Sequence, residues 1–308
     1  MLVHVDTDIG GDPDDVAALA MLAGWPGVEL VGVTTTVDPG GVRAGYARHC
    51  LDLLGLRDVP VAAGVEATLT DGRRVDPLPQ LWPEGITPHP APAGAASDLL
   101  AASLRRGAVV VTIGPLSTVA RLEQQRPGIL AGARLVVMGG WLRTPDDGLP
   151  SRGPDQDFNV ACDVEAARTV LDSAGDLTVV TFAETLRTHL RTVHLPRLRA
   201  VGPIGELLAD QAERYAVLRD HARLAAEHVG LPDDLLVFLH DPLACAVAVG
   251  WPGVRLEERA LTVETAGRGL RLVPGEAGRP VRVVAEADAE GFADRWLTAT
   301  LASAGRDG

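Results

Sequence analysis

Five short runs of Val, Ile and Leu punctuate the first 181 residues, at 2–6, 29–36, 108–113, 134–138 and 177–181. Their apolar positions do not alternate with polar ones, so each reads as a strand buried on both faces. Between them lie segments with helical patterning, at 14–23, 41–54, 95–105, 117–125 and 164–173. Strand alternating with helix predicts an α/β architecture, a mainly parallel sheet flanked by helices on both sides. Ligands in such folds collect beyond the carboxyl ends of the strands. After residue 190 the pattern turns helical over 202–229, and an apolar segment follows at 237–249. Two or three strands (260–264, 269–273, 281–285) and a terminal helix (287–302) complete the chain. There is no repeat, low-complexity tract or linker, so one domain over 1–308 is expected. Two stretches read as loops over a site. One is 70–92, rich in Pro and Gly and holding Trp82 and His89; the other is 142–156, holding Arg143, Asp146, Asp147 and Arg152.

The first strand–helix junction carries five carboxylates in ten residues: Asp6, Asp8, Asp12, Asp14 and Asp15. Anions this close repel one another. A fold tolerates them with a cation in their midst, with raised pKa values, or with full exposure to water. The first option makes the junction a hard-metal site. Asp12 suits a helix cap, Pro13 the first helical position, and Asp14 and Asp15 the first turn, where the helix dipole favours anions. A cap and one first-turn acid are commonplace. Asp6, Asp8 and Asp15 together are not explained that way.

Composition narrows the function. The net charge of −13 argues against nucleic acid or an anionic membrane as partner. No apolar run approaches the length of a membrane span, and the N-terminus lacks the pattern of a signal peptide. Cys50, Cys162 and Cys245 stand far apart in apolar helical contexts, as buried reduced thiols of a cytoplasmic protein would. The chain has no Lys, which removes every mechanism that needs a catalytic lysine.

Three further constellations stand at strand ends. His240-Asp241-Pro242 opens the apolar helical run 243–249. An Asp there ordinarily caps, and a His flanked by Phe238 and Leu239 ordinarily packs. Yet the pair follows an apolar segment as the first cluster does, and its carboxylate would help fill a Ca²⁺ shell of six to eight oxygens. Met138-Gly-Gly-Trp141 is followed by Asp155-Gln-Asp-Phe-Asn159, whose Asp157 and Asn159 suit vicinal hydroxyls; alone, this is an Asx-rich loop. Val111-Thr-Ile-Gly-Pro-Leu-Ser117 can turn a carbonyl toward a cation, and a plain strand–turn–helix accounts for it equally well.

Taken together, DTDIGGDPDD, TIGPLS, VVMGG with DQDFN, and LHDPLA resemble the nucleoside hydrolase family of the inosine–uridine type, in order and over most of the chain. The resemblance implies one domain with a Rossmann-like core. It implies a bound Ca²⁺, no organic cofactor, and hydrolysis of the N-glycosidic bond of a nucleoside. Asp8, Asp15, Asp241 and the backbone carbonyl of Ile113 would hold the metal, with Asp8 taking the proton from its water. Asp14 would bind ribose hydroxyls; Asp157 and Asn159, with Met138 nearby, would hold the sugar. His240, with a pKa near neutrality, would protonate the leaving base. Members often form homo-oligomers, so a homodimer or homotetramer is expected.

The chain departs from the family pattern in four places. Two extra residues in the first motif make Asp12 an additional acid, either a cap or a further ligand. Asp38 or Pro39 stands where an Asn usually touches the ribose. Asp157 replaces a Glu and is one methylene shorter. A loop histidine near the base is missing, with Trp82 in that neighbourhood. Metal and water chemistry are therefore expected intact, and recognition of sugar and base altered. Arg143 and Arg152 are candidates to read a phosphate. Two rival readings use the same residues. Asp6-Thr-Asp8 imitates a haloacid-dehalogenase-type phosphatase, which needs a Lys the chain lacks. A non-catalytic nucleoside or ribose binder accommodates the departures, but has no need of Asp8 and His240.

Overall fold

The computed structural model describes residues 1–304. Its central sheet contains β1 (Leu2–Thr7), β2 (Glu29–Thr35), β3 (Val61–Ala62), β4 (Val109–Thr112), β5 (Arg134–Met138) and β6 (Asp176–Val180). These six strands pair in parallel. The crossovers are α1 (Asp14–Gly24), α2 (Val42–Leu53), α3 (Ala95–Arg105), α4 (Ser117–Gln125) and, after the single turn α5 (Phe158–Ala161), α6 (Val164–Ser173). Val3, Val5, Val111 and Val136 meet one core cluster, while Val110, Leu135 and Val137 meet another. Both faces of the parallel strands are thus buried, as their unbroken apolar runs require.

From α7 (Phe182–Thr185) the chain leaves the sheet. Strands β7 (His189–Arg191) and β8 (Leu235–Phe238) form a separate antiparallel pair that brackets α8 (Leu195–Arg199), α9 (Pro203–Leu218) and α10 (His221–Glu227). α11 (His240–Ala248) follows directly. β9 (Val254–Ala266), β10 (Gly269–Pro274) and β11 (Arg279–Ala287) then extend the main sheet, and α12 (Ala289–Ser303) packs on α1. The order across the nine strands is β10-β9-β11-β6-β5-β4-β1-β2-β3. The chain winds outward from β1 through β2 and β3, then returns to β4 on the other side. The switch point therefore lies between β1 and β4, where a doubly wound sheet opens its crevice. Asp8 follows one of these strands and Ile113 the other.

Every residue from Asp14 to Ala23 of α1 is buried. Ala17, Ala18, Ala20 and Ala23 keep it thin enough to lie under α11 and α12, and Trp296 Nε1 donates to Ala17 O at 3.1 Å. Close approach is absolute at Gly24, where a Cβ would lie 1.9 Å from the Ala299 carbonyl oxygen.

The predicted α/β architecture is present, with two corrections. The helical span 202–229 breaks at Asp220, which adopts φ 53° between α9 and α10. The apolar run 237–249 holds the end of β8 and then the helix expected to open at His240. β9 is thirteen residues long, far beyond the expected five, because its Glu257, Glu258 and Arg259 lie on a largely solvent-facing ribbon that apolar patterning does not mark. Among the described residues no helix is long and apolar enough to cross a membrane.

Candidate active site

Above the β1–β4 switch point lies a cavity of about 500 Å³. Its volume is in the range of small-molecule sites. The loop after β1 supplies Asp8, Asp12 and Asp14; the end of β4 supplies Ile113, the end of β5 Met138, α5 Asn159, and the start of α11 His240 and Asp241. Parallel strands ending at one edge bring these distant residues together.

The carboxylates converge. Oxygens of Asp12, Asp14 and Asp15 lie within 4.8 Å of one another. The Asp241 backbone N–H donates to Asp14 Oδ2 at 3.3 Å, and Thr7 Oγ1 donates to Asp15 Oδ1. Burial pushes the Asp14, Asp15 and Asp241 carboxyls well above the usual range, and their acidic neighbours push them further. Burial raises Asp8 to about 6, with Arg43 opposing the rise. Arg43 is the nearest interior cation, but its guanidinium is spent on the carbonyl oxygens of Asp8, Ile9, Val37 and Val75. The cluster is therefore a largely buried set of oxygen donors with no salt bridge among the described residues, and Ile113 lines the same cavity. That donor chemistry fits a hard divalent cation, which would remove the repulsion.

Asp12 belongs to this group and not to a helix cap. Pro13 is the residue preceding α1, its carbonyl accepts from Ala17 N at 3.1 Å, and no side chain caps the helix. Pro13 is thus not the first helical residue. Asp6, by contrast, is turned into the sheet. It is fully buried, accepts from Thr34 Oγ1 at 2.5 Å, and its second oxygen has no partner. It is no phosphatase nucleophile.

His240 is fixed on three sides. Its Nδ1 lies 2.7 Å from Thr185 Oγ1, its ring stacks on Phe238 at 5.3 Å, and the edge of Phe182 stands 5.0 Å away. Burial, followed by Arg152 and two other histidines, pushes its pKa down to about 3. The expectation of a pKa near neutrality is therefore wrong: the imidazole is neutral at pH 7. Asn159 commits Nδ2 to the Ile113 and Met138 carbonyls at 3.3 and 3.2 Å, which leaves Oδ1 for a ligand.

Three predicted sugar or base contacts are absent from the cavity wall. Asp38 accepts from Thr35 Oγ1, Arg43 N and Ala44 N at 2.7–3.0 Å, so it anchors the turn from β2 into α2. Pro39, its alternative, begins a single 3₁₀ turn in that connection. Trp82 stacks on Tyr46 with ring centroids 4.1 Å apart and joins the core. Asp157 accepts from the N–H groups of Gly140 and Val160 and caps α5. Being a methylene shorter than Glu, its carboxylate is held by this backbone. Of the two loop arginines, Arg143 is engaged by Asp146 and Glu184, while Arg152 lines the cavity.

Asp157 yields a stability prediction. It is fully buried, and burial raises its pKa from 3.8 to about 6. A raised native pKa means stability present at low pH and lost as pH rises through about 6. A shift of about two units corresponds to roughly 3 kcal/mol. Asp157→Asn, which carries no charge but loses one of the two accepting oxygens, should therefore gain in melting temperature relative to wild type as pH rises from about 3 to about 8, whatever fixed offset the lost acceptor adds. A melting difference that does not change with pH would refute this.

Arg43, Tyr215, Arg219 and His221 also line the cavity and were not anticipated. Arg43 looks like a solvated helix residue in the sequence. Tyr215 and Arg219 stand together at the end of α9, and His221 joins them only because the helical span breaks at Asp220, which no Gly or Pro announces.

Fold and cavity together define an α/β protein with an acidic pocket at the carboxyl edge of its sheet. The chain belongs to the inosine–uridine preferring nucleoside hydrolase family, whose model matches residues 3–294. The enzyme class expected from the motifs is thereby borne out. A pyrimidine-specific ribonucleoside hydrolase, RihA, of Salmonella paratyphi A is 29% identical over 316 residues, covering 95% of this chain and 96% of that one. The fold is shared with the purine-preferring ribonucleoside hydrolase of Gardnerella vaginalis (TM-score 0.82, 22% identity, 99% of each chain). It is also shared with an inosine–uridine preferring nucleoside hydrolase of Bacillus anthracis (TM-score 0.72, 22% identity, 97% of this chain and 99% of that one).

Proposed function

We propose that the protein hydrolyses the N-glycosidic bond of a ribonucleoside in a Ca²⁺-dependent reaction. The observation that carries this is the convergence of Asp8, Asp12, Asp14, Asp15 and Asp241, with the Ile113 carbonyl, beside a cavity that also presents Asn159 and His240. Asp8, Asp12, Asp15, Asp241 and Ile113 O would hold the cation. When bound, Ca²⁺ neutralises the cluster and acts as a Lewis acid toward water. Asp8 accepts the proton of the attacking water. Asp14 and the Asn159 amide oxygen hold ribose hydroxyls. The carboxylates stabilise the positive charge that develops on the sugar as the base departs. His240, being neutral, offers the departing base a hydrogen bond in place of a full proton. The curated and structural relatives are named for pyrimidines and for purines alike, so they leave the base of this chain's substrate open. The buried, unpaired Cys50, Cys162 and Cys245 support a cytoplasmic setting. A homodimer or homotetramer is the assembly that the family resemblance implies.

A panel of ribonucleosides assayed for released reducing sugar tests the activity, with and without a chelator. Thermal melts test the metal. In the cation-free protein the raised carboxyl pKa values mean stability lost as pH rises, and a cation competes with protons for the same oxygens. Added Ca²⁺ should therefore raise the melting temperature more at pH 8 than at pH 5. No Ca²⁺ shift at pH 8 would sink the metal assignment. Binding without sugar release from any nucleoside would instead favour a non-catalytic binder, the reading that the withdrawn Asp38 and Asp157 suit.

A further inference from the structure

Several surface arginines pair with carboxylates: Arg48 with Asp52, Arg143 with Asp146, Arg199 with Asp210, Arg282 with Asp176. A chain of net charge −13 makes such pairing easy. Arg152 and Arg219 are among the arginines that do not pair in this way, and they are set apart by their place. Both line the cavity, and neither is in a salt bridge among the described residues.

Arg152 is half-buried, and its Nε is enclosed with no hydrogen-bond partner. The backbone around it is pinned, since Trp141 Nε1 donates to the Arg152 carbonyl at 2.9 Å. The loop carrying it is tied to the α10–β8 connection, where Gly230 N donates to Gly148 O at 2.8 Å. Arg219 stands at the end of α9 with its guanidinium 5.3 Å from the centre of the Tyr215 ring. Asp220, in its left-handed conformation, then turns the chain so that His221 also faces the cavity. His221 Nδ1 lies 2.8 Å from the Leu236 carbonyl, to which it must donate.

The Arg152 and Arg219 guanidinium groups line the same cavity and repel each other, although Arg219 is solvent-exposed and its charge also acts on Asp12. Burial depresses the pKa of Arg152, and the positive charge of Arg219 adds to that depression. The enclosed Arg152 Nε is a costly unpartnered donor, and an anion entering the cavity would satisfy this guanidinium, with Arg219 adding positive charge to the same wall. Guanidinium forks match phosphate and carboxylate oxygens, and such charge-assisted bonds are among the strongest available to a protein. The carboxylate cluster also lines this cavity, which gives it both acidic and basic walls.

We propose that Arg152 and Arg219 form an anion-binding subsite, so that the preferred substrate is a nucleoside carrying a phosphate or a carboxylate. This rests on the nucleoside-hydrolase reading above and specifies its substrate class. The phosphate would sit on the sugar; the carboxylate would sit on the base.

Calorimetric titration of the Ca²⁺-loaded full chain with uridine, uridine 5′-monophosphate, orotidine, inosine and inosine 5′-monophosphate tests it directly. At least one anionic member should bind about tenfold or more tightly than its neutral parent. Preference for the monophosphates identifies a phosphate; preference for orotidine identifies a carboxylate. Arg152→Ala and Arg219→Ala should each collapse that ratio, and Arg152→Lys should restore part of it. Circular dichroism confirms that each variant is folded, and melting must remain within a few degrees of wild type. Anionic members that bind no better than their parents, or an unchanged ratio in both Ala variants, would overturn the subsite. Binding needs no turnover, so failure of the hydrolase reading would show separately, as tight binding without sugar release.

Discussion

Asp8→Asn is expected to lower turnover by about 10²–10⁴-fold, the range for loss of a general base, while the protein stays folded. Asn is nearly isosteric and keeps an oxygen donor, so the loop after β1 has no steric reason to move. Stability should not suffer. The Asp8 carboxyl is raised to about 6 by burial, so at pH 8 its charge opposes folding in the cation-free protein. Melts in chelator at pH 8 should show Asp8→Asn equal to or above wild type. With Ca²⁺ present the order should reverse, because one anionic ligand has been lost. Kinetics at saturating Ca²⁺ then separate the two roles. If turnover collapses while the Ca²⁺-induced melting shift is preserved, Asp8 serves chiefly as base. If both collapse, it is also a ligand. Turnover within tenfold of wild type would remove Asp8 from the chemistry.

The framework was legible because parallel strands buried on both faces write themselves as unbroken apolar runs, and Arg134–Met138 and Ala95–Arg105 fall where the pattern places them. The acidic half of the site was legible for a related reason. Asp8, Asp14 and Asp15 are crowded in one segment, and Asp241 opens a helix behind an apolar strand, so each stands at a position where a doubly wound sheet puts ligands. What the sequence concealed depends on side-chain direction and on irregular backbone. Asp38 and Asp157 are polar residues in the right loops, yet local backbone N–H groups capture both. Trp82 found an aromatic partner in the core. Tyr215 and Arg219 reach the cavity from the end of α9, and His221 joins them only through the break at Asp220, which helical periodicity conceals. The acidity of His240 was misjudged because burial is a tertiary property: Phe238 is its neighbour in sequence, but Phe182 and Arg152 are not.

Gly114→Ala should be nearly as damaging to activity as loss of Asp8 itself, although no reacting atom belongs to Gly114. The backbone after β4 runs against the loop after β1 at the switch point, where Ile113 N donates to Asp6 O at 2.8 Å. One residue later, a Cβ on Gly114 would lie 2.6 Å from Asp8 Oδ1 and 2.7 Å from Asp8 N. The second of these is backbone and cannot rotate away, so one of the two loops must move. Moving the β1 loop displaces Asp8; moving the β4 loop displaces the Ile113 carbonyl from the same cluster. Misplacement of about 1 Å at a reacting centre costs on the order of 10²-fold in rate. The steric penalty to stability should be smaller, about 1–3 kcal/mol, as for other overpacked sites. The expected result is therefore a fall of about 10²-fold in kcat/KM with a cooperative melt and a weakened Ca²⁺ shift. Gly132→Ala is the matched control, because a Cβ there meets nothing within 4 Å, and it should leave both readouts unchanged. If Gly114→Ala keeps kcat/KM within about twofold of wild type, well short of that loss, then contact between the β1 and β4 loops does not set the position of Asp8. The glycine in Thr112-Ile-Gly-Pro115 would then be explained by the turn alone.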